Sequence, residues 1–297
     1  MWVLVALVAV QTAIASEFFL TAGNLANFAG QLVPTGFAAL GQAAAVLAGM
    51  IDLSVGATAR LAALLTAGLI DDHPERVVPV LLLVLAASAL IGLVNGLMVV
   101  KLRFDPLIAT LISFTVLSGV ALAYTRTPIG GIPTEASRFV NERILGLPYA
   151  AWFLLLLFLA MGVLLTRTRF GRNVYAVGGN LEVARRAGVS VERVRVTMMV
   201  NCSVMAGLAG ITLAFRQGTG DPRVAAGLEL VSIVAVVVGG VSIFGGRGTM
   251  LGVLGGVVFI NILRNAMNLQ EVPPLIQGVI TGVITIIAVV VFSRRER

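Results

Sequence analysis

VVPVLLLVLAASALIGLVNGLMVV (77–100), KLRFD (101–105) and PLIATLISFTVLSGVALAY (106–124) are the consecutive stretches that decide the fold. Two long runs without a formal charge flank a short segment that carries Lys101, Arg103 and Asp105. As a helix, a run of roughly 20 apolar residues crosses the hydrocarbon core of a bilayer. A soluble helix of that length needs a polar face, and these have none. Further uncharged runs lie at 18–51, 144–166, 196–215 and 272–293. Segments 1–16, 53–70 (interrupted by Arg60), 224–246 (by Glu229) and 248–263 (stopped by Arg264) complete the set. Together they predict an all-α, polytopic transmembrane helical bundle of about ten spans, one domain over residues 1–297. Within 18–51, Pro34 and Gly36 predict a broken or strongly bent element.

The composition agrees: 58% of residues are hydrophobic and 12% charged, where a soluble domain carries about a quarter. Residues 1–15 lack the basic lead of a signal peptide and are read as a retained first span. The net charge of +7 does not point to nucleic acid, because the basic residues cluster between the apolar runs. Lys101, Arg103, Arg167, Arg169, Arg172, Arg185, Arg186, Arg193, Arg195, Arg247, Arg294, Arg295 and Arg297 all fall on one side of a ten-span topology. Positive residues mark the cytoplasmic side, so both termini are expected inside. The single cysteine, Cys202, excludes an intramolecular disulfide and is read as helix packing. His73, beside Asp71, Asp72 and Glu75, reads as a solvated turn before Pro74, and no metal site is assigned. Small-residue repeats at Gly92/Gly96, Gly248/Gly252/Gly256 and Gly278/Gly282 predict close helix packing.

Residues 167–195 form the most polar segment. Asn180 can cap a short helix with Glu182 in its first turn and Arg185 and Arg186 in its last, stopped by Gly188. A new helix begins near Ser190 and Glu192. On these grounds alone the segment is either an orienting positive loop or a stiff contact for a cytoplasmic partner.

Three motifs carry a family resemblance: GMIDLSVG (49–56), TRFGRNVYAVGGNLEVARRAGV (168–189) and SIVAVVVGGVSIFGGRGTMLGVLGG (232–256), the last approached by DPRVAAGLEL. The chain resembles, from about residue 24 to 293, the permease subunits of ribose- and other monosaccharide-type ABC importers, which include autoinducer-2 permeases. It departs in Met50, where a second glycine is common, and in a nearly absent lead before the first span. The resemblance implies a bacterial inner-membrane permease that pairs with a second permease chain, itself or a paralogue. It also implies ABC ATPase subunits inside and an extracytoplasmic sugar-binding protein outside. Segment 167–195 is similar to the coupling segment that docks on the ATPase. That carries contacts to Gly179, Asn180, Glu182, Ala184, Arg185, Arg186, Ala187 and Gly188, the small residues allowing close insertion.

Inside the membrane, Asp52 or Ser54 is expected to cap the third helix in a cytoplasmic turn, followed by Gly56. Arg60, two turns into a span, needs either the surface or a buried partner, for which Asp52 is a candidate. Candidate residues for a polar pathway, or for packing, are Asn24, Asn27, Gln31, Gln42, Asn95, Thr110, Ser113, Thr115, Asn201, Ser203, Asn261, Asn265 and Asn268. There is no GxxxxGK[ST] loop, so the chain is not expected to be an enzyme and has no cofactor of its own. ATP and Mg²⁺ are expected in the partner ATPase. A self-contained secondary transporter, a branched-chain amino acid permease and a non-transport membrane scaffold are the competing readings.

Overall fold

The computed structural model describes residues 2–273, 276–280 and 282–283. Its first helices are α1 (Trp2–Ala15), α2 (Ala22–Leu47), α3 (Val55–Ile70), α4 (Val77–Val100) and α5 (Pro106–Tyr124). A short α6 (Thr134–Asn141) leads into a hairpin of β1 (Arg143–Ile144) and β2 (Leu147–Pro148). Then come α7 (Tyr149–Arg167), α8 (Arg169–Gly179), α9 (Leu181–Arg186), α10 (Val191–Gln217), α11 (Leu228–Val238) and α12 (Met250–Leu269).

The fold is all-α and of polytopic membrane type. Among the described residues, five helices are long and apolar enough to cross a membrane: Pro74–Val100, α5, α7, α10 and α12. Val5–Ile14, α3 and α11 are apolar but shorter. The expectation of ten full spans is therefore met only in part. The expected span over 224–246 is replaced by α11, whose 11 residues cover about 16 Å, roughly half a hydrocarbon core. The run at 272–293 lies largely outside the described residues, as do Arg294, Arg295 and Arg297.

The element at 18–51 also differs from expectation. It is one continuous helix, α2, with Pro34 inside it. The break comes later, at residues 48–54, where Gly49 takes a left-handed φ of 74°. Every residue of α2 from Val33 to Leu47 is buried. Other helices surround α2, which explains how it carries Gln31 and Gln42 without facing lipid. The lipid-facing character falls instead on α4, α5 and α7, whose apolar windows are 22%, 17% and 28% buried, against 72% for α10.

Helices α2 and α10 form the centre, and small residues let them approach. A Cβ on Gly41 would lie 2.8 Å from the Cys202 carbonyl oxygen. Gly92 and Gly96 of α4 face the α10 backbone at Val200 and Val196. Gly252 and Gly256 of α12 do the same against Gly239 and Ala235. The expected repeat at Gly248 does not extend into α12: Gly248 precedes that helix, at φ 142°. Gly278 and Gly282 meet nothing within 4 Å.

The helix ends sort onto two faces. On one, Gly246 N–H donates to Leu47 O at 3.1 Å, and Lys101 pairs with Glu192 at 2.8 Å. On the other, Asp72 N–H donates to Gly131 O at 3.1 Å, and Ile129 bridges Gly220. The first face gathers the ends of α2, α4 and α7 and the starts of α5 and α10. The second gathers the end of α3, the start of α4 and the end of α10.

Candidate pathway and coupling surface

Segment 167–195 holds two helices, α8 and α9, where one short helix is expected. Thr168 caps α8, accepting from Gly171 N–H at 3.0 Å. Asn180 caps α9 as its sequence requires, accepting from Glu182 and Val183 N–H, each at 3.0 Å. Gly188, at φ 79°, ends it. Glu182 pairs along the helix with Arg186 at 3.1 Å and Arg185 at 3.9 Å, all three side chains well exposed. Gly179, Asn180, Ala187 and Gly188 are also exposed. Ala184 is not: at 3% exposure it points into the core and anchors α9. Tyr175 of α8 donates to Gly248 O at 2.9 Å, and burial raises its phenol above the ordinary value. Gly178 fits between Leu47 O and Gly246 N, where a Cβ would meet atoms at 1.9 and 2.6 Å. α8 thus locks to the break after α2 and to the loop before α12.

A second cluster lies inside the bundle. Asp52, expected in the turn between the second and third helices, is fully buried there. The residues after Gly49 fold back against α2. The Gln42 amide pairs with the Asp52 backbone, its nitrogen 3.0 Å from the carbonyl and its oxygen 3.2 Å from the N–H. Such pairing meets the demand of a non-helical backbone away from water. Asp52 Oδ1 accepts from Ser54 N–H at 2.7 Å and from Ser54 Oγ–H at 2.6 Å, just ahead of α3. Capping by Asp52 therefore holds in local form, whereas Ser54 makes no side-chain cap bond. Asn95 Nδ2 donates to Ser54 Oγ at 3.0 Å, and Ser113 Oγ donates to Asn95 Oδ1. Leu53 N–H donates to Thr110 Oγ1 at 3.1 Å. Cys202 of α10 is buried beside this cluster, its sulfur 3.9 Å from the Gln42 side-chain amide.

Arg60 is not paired with Asp52. Its Nε donates to Val224 O at 3.3 Å, and its charge acts on Glu229. Glu229 lies against Gly56, where an added Cβ would sit 1.8 Å from Oε2. Glycine at 56 is thus explained by a close approach between the starts of α3 and α11. Nearby, Arg223 hydrogen-bonds Asp221 and holds that carboxyl below its ordinary value.

A third site is a polar cavity of about 230 Å³, lined by Gln31, Pro34 and Thr35 of α2, Leu213 and Arg216 of α10, Ala225, Ala226 and Leu228, and Asn261 and Arg264 of α12. It is on the side of the bundle opposite α8 and α9. Gln31 and Asn261 both line it. Asn24 and Asn265 exchange amide bonds at 3.0 and 2.8 Å, linking α2 to α12. Asn268 bonds Gln277, and Thr115 bonds its own helix at Leu111 O. Asn27 is exposed, and Asn201 Oδ1 and Ser203 Oγ are buried without a partner among the described residues. Sequence reading missed Arg216 and Arg264 as cavity residues. Arg264 ended an apolar run and so reads as a membrane boundary, although it faces inward. His73 is exposed and bonds Asp71 O at 2.6 Å, and no group of three metal-ligating residues occurs among the described residues.

The family model described as "Branched-chain amino acid transport system / permease component" matches residues 24–289. The ribose import permease protein RbsC of Bacillus subtilis is 38% identical over 94% of this chain and 87% of its own length. RbsC of Escherichia coli K12 is 34% identical over 99% of this chain and 92% of its own. The L-arabinose transport system permease protein AraH of Escherichia coli K12 is 35% identical over 100% and 90%. No solved structure matches the chain at a significant level. Sequence match and helical architecture agree, and the chain belongs to this family of membrane permease components, related to the RbsC and AraH import permeases.

Proposed function

We propose that the chain is the membrane-spanning permease of an ABC importer for a monosaccharide-type polar solute. ATP hydrolysis belongs to partner subunits that dock on residues 179–188. The observation that carries this reading is the pairing of an exposed Glu182/Arg185/Arg186 surface with a rigid seat. The surface sits on α9, and the adjoining α8 is held by the 48–49 break and the 245–246 loop. A push on α9 therefore reaches α2 and α12, two of the helices that line the polar cavity. Relatives named for ribose and arabinose import favour a sugar over the amino acid in the family's description.

In this reading the coupling face is cytoplasmic, because it carries Lys101, Arg103, Arg167, Arg169, Arg172, Arg193, Arg195 and Arg247. A bacterial inner membrane, ten crossings and both termini inside follow as one topology. The half-length α11 and the late-starting α3 are two of the ten. A second permease chain completes the pathway, and an extracytoplasmic binding protein delivers solute at the face with the polar cavity.

The test is reconstitution of the permease with its ATPase and binding protein, followed by uptake of labelled sugars. Nucleotide-dependent uptake is the expected result, and uptake without any ATPase overturns the reading. Replacing Glu182, Arg185 and Arg186 together by Ala should reduce solute-stimulated ATP hydrolysis about tenfold, roughly 1.4 kcal/mol of lost coupling. The amount of inserted permease should stay constant, and unimpaired hydrolysis would reject these residues as the docking surface.

A further inference from the structure

The polar cavity described above holds two guanidinium groups and no carboxylate. Arg216 and Arg264 both line it, with Gln31, Thr35 and Asn261 as neutral hydrogen-bonding groups. Neither arginine forms an ion pair among the described residues. Arg216 is anchored by donating to Gly30 O at 2.8 Å, which leaves further N–H groups of its fork free to point elsewhere. The intramembrane carboxylate nearest in sequence to the cavity wall, Glu229, is not among the lining residues. It sits against Gly56 and in the field of Arg60. Arg216 is exposed, whereas Arg264 is half-buried, and a half-buried cation beside a cavity without a counter-charge is costly unless something anionic visits it. A neutral pentose would need only the amides and the hydroxyl.

We infer that this cavity is a specificity site for a small polyhydroxylated solute bearing an oxyanion, a sugar acid or sugar phosphate, with Arg216 and Arg264 on the anionic group. Gln31, Thr35 and Asn261 take the hydroxyls. The volume, about 230 Å³, is below the roughly 300–1,000 Å³ of drug-sized pockets and fits a solute of this size. Arginine suits the task because its planar fork meets carboxylate or phosphate oxygens in pairs. The inference rests on the permease reading and refines its substrate class.

The test uses cells carrying the complete importer, with uptake measured for labelled galacturonate, ribose 5-phosphate, galactose and ribose. An acidic solute should be preferred over its neutral counterpart, the carboxylate and phosphate arms telling the two sources apart. Arg264→Gln should lower the acidic-to-neutral uptake ratio by about tenfold, the scale of one lost charge-assisted contact, and Arg264→Lys should restore part of it. Uptake is normalised to the inserted permease, so a folding defect does not mimic the result. Preference for neutral sugars, with a ratio indifferent to Arg264→Gln, overturns the inference and leaves the importer reading standing. An equal fall for every solute also overturns it and points to docking of the binding protein. Loss of nucleotide-dependent uptake for all four solutes in the parent importer overturns both.

Discussion

Gln42 is where a single side chain decides the course of the backbone. Its amide takes both polar groups of the Asp52 peptide, and no neighbouring strand or helix does that work. Gln42→Leu keeps the volume but leaves a buried N–H and C=O unpaired, so it should destabilise the permease by about 1–3 kcal/mol. Gln31→Leu, in the open cavity, should cost much less. Thermal unfolding of the two detergent-purified variants checks this, and equal shifts would remove the special role of Gln42. Both glutamines are legible from sequence as polar groups within an apolar run. Their different duties are not, because the partner of Gln42 is a backbone that reaches it only after the break at Gly49. The same limit applies to Arg60. Asp52 is its nearest acidic neighbour in sequence, yet the fold gives it Val224 and Glu229.

At the scale of elements, helix contacts are set by where side chains are missing. A Cβ on Gly92 would lie 2.6 Å from both the Val200 Cα and the Met199 carbonyl oxygen, so α4 and α10 would have to separate. Gly92→Ala should therefore cost about 1–3 kcal/mol, the usual scale of overpacking. Gly119→Ala, with nothing within 4 Å, should be neutral or slightly stabilising through helix propensity. Melting temperatures of the two variants provide the comparison, and a neutral Gly92→Ala would mean that this helix pair is looser than its geometry implies. The spacing Gly92/Gly96 announces a groove in the sequence, but Gly248 shows that spacing does not place a residue on a helix. Helix α9 is the reverse case. Its cap, acidic first turn, basic last turn and glycine stop are all local, so its sequence reads correctly from Asn180 to Gly188. Helix α8 escapes the same reading because its periodic buried residues, Val174 and Val177, sit among arginines and glycines.

For the whole molecule, the two-faced arrangement predicts opposite accessibility of two exposed sites. Cysteine introduced at Arg185 should label only from the cytoplasm, and at Arg223 only from outside, since the native Cys202 is buried. A membrane-impermeant thiol reagent applied to intact cells and to inverted vesicles reads this directly, and labelling of both sites from one side would refute the topology. The sequence by itself determined that this chain lives in a membrane, where its long uncharged runs lie, and which loops carry the positive charge. Those properties are sums over local stretches, set by transfer of apolar side chains and by charge at the interface. Only the tertiary structure decided that α2 is the buried axis, that the chain breaks at 48–54, and that α11 is half a span. It alone brought Arg216 and Arg264 to one cavity. Each of these depends on pairing polar groups far apart in the chain where water is absent, and no local pattern records the partner.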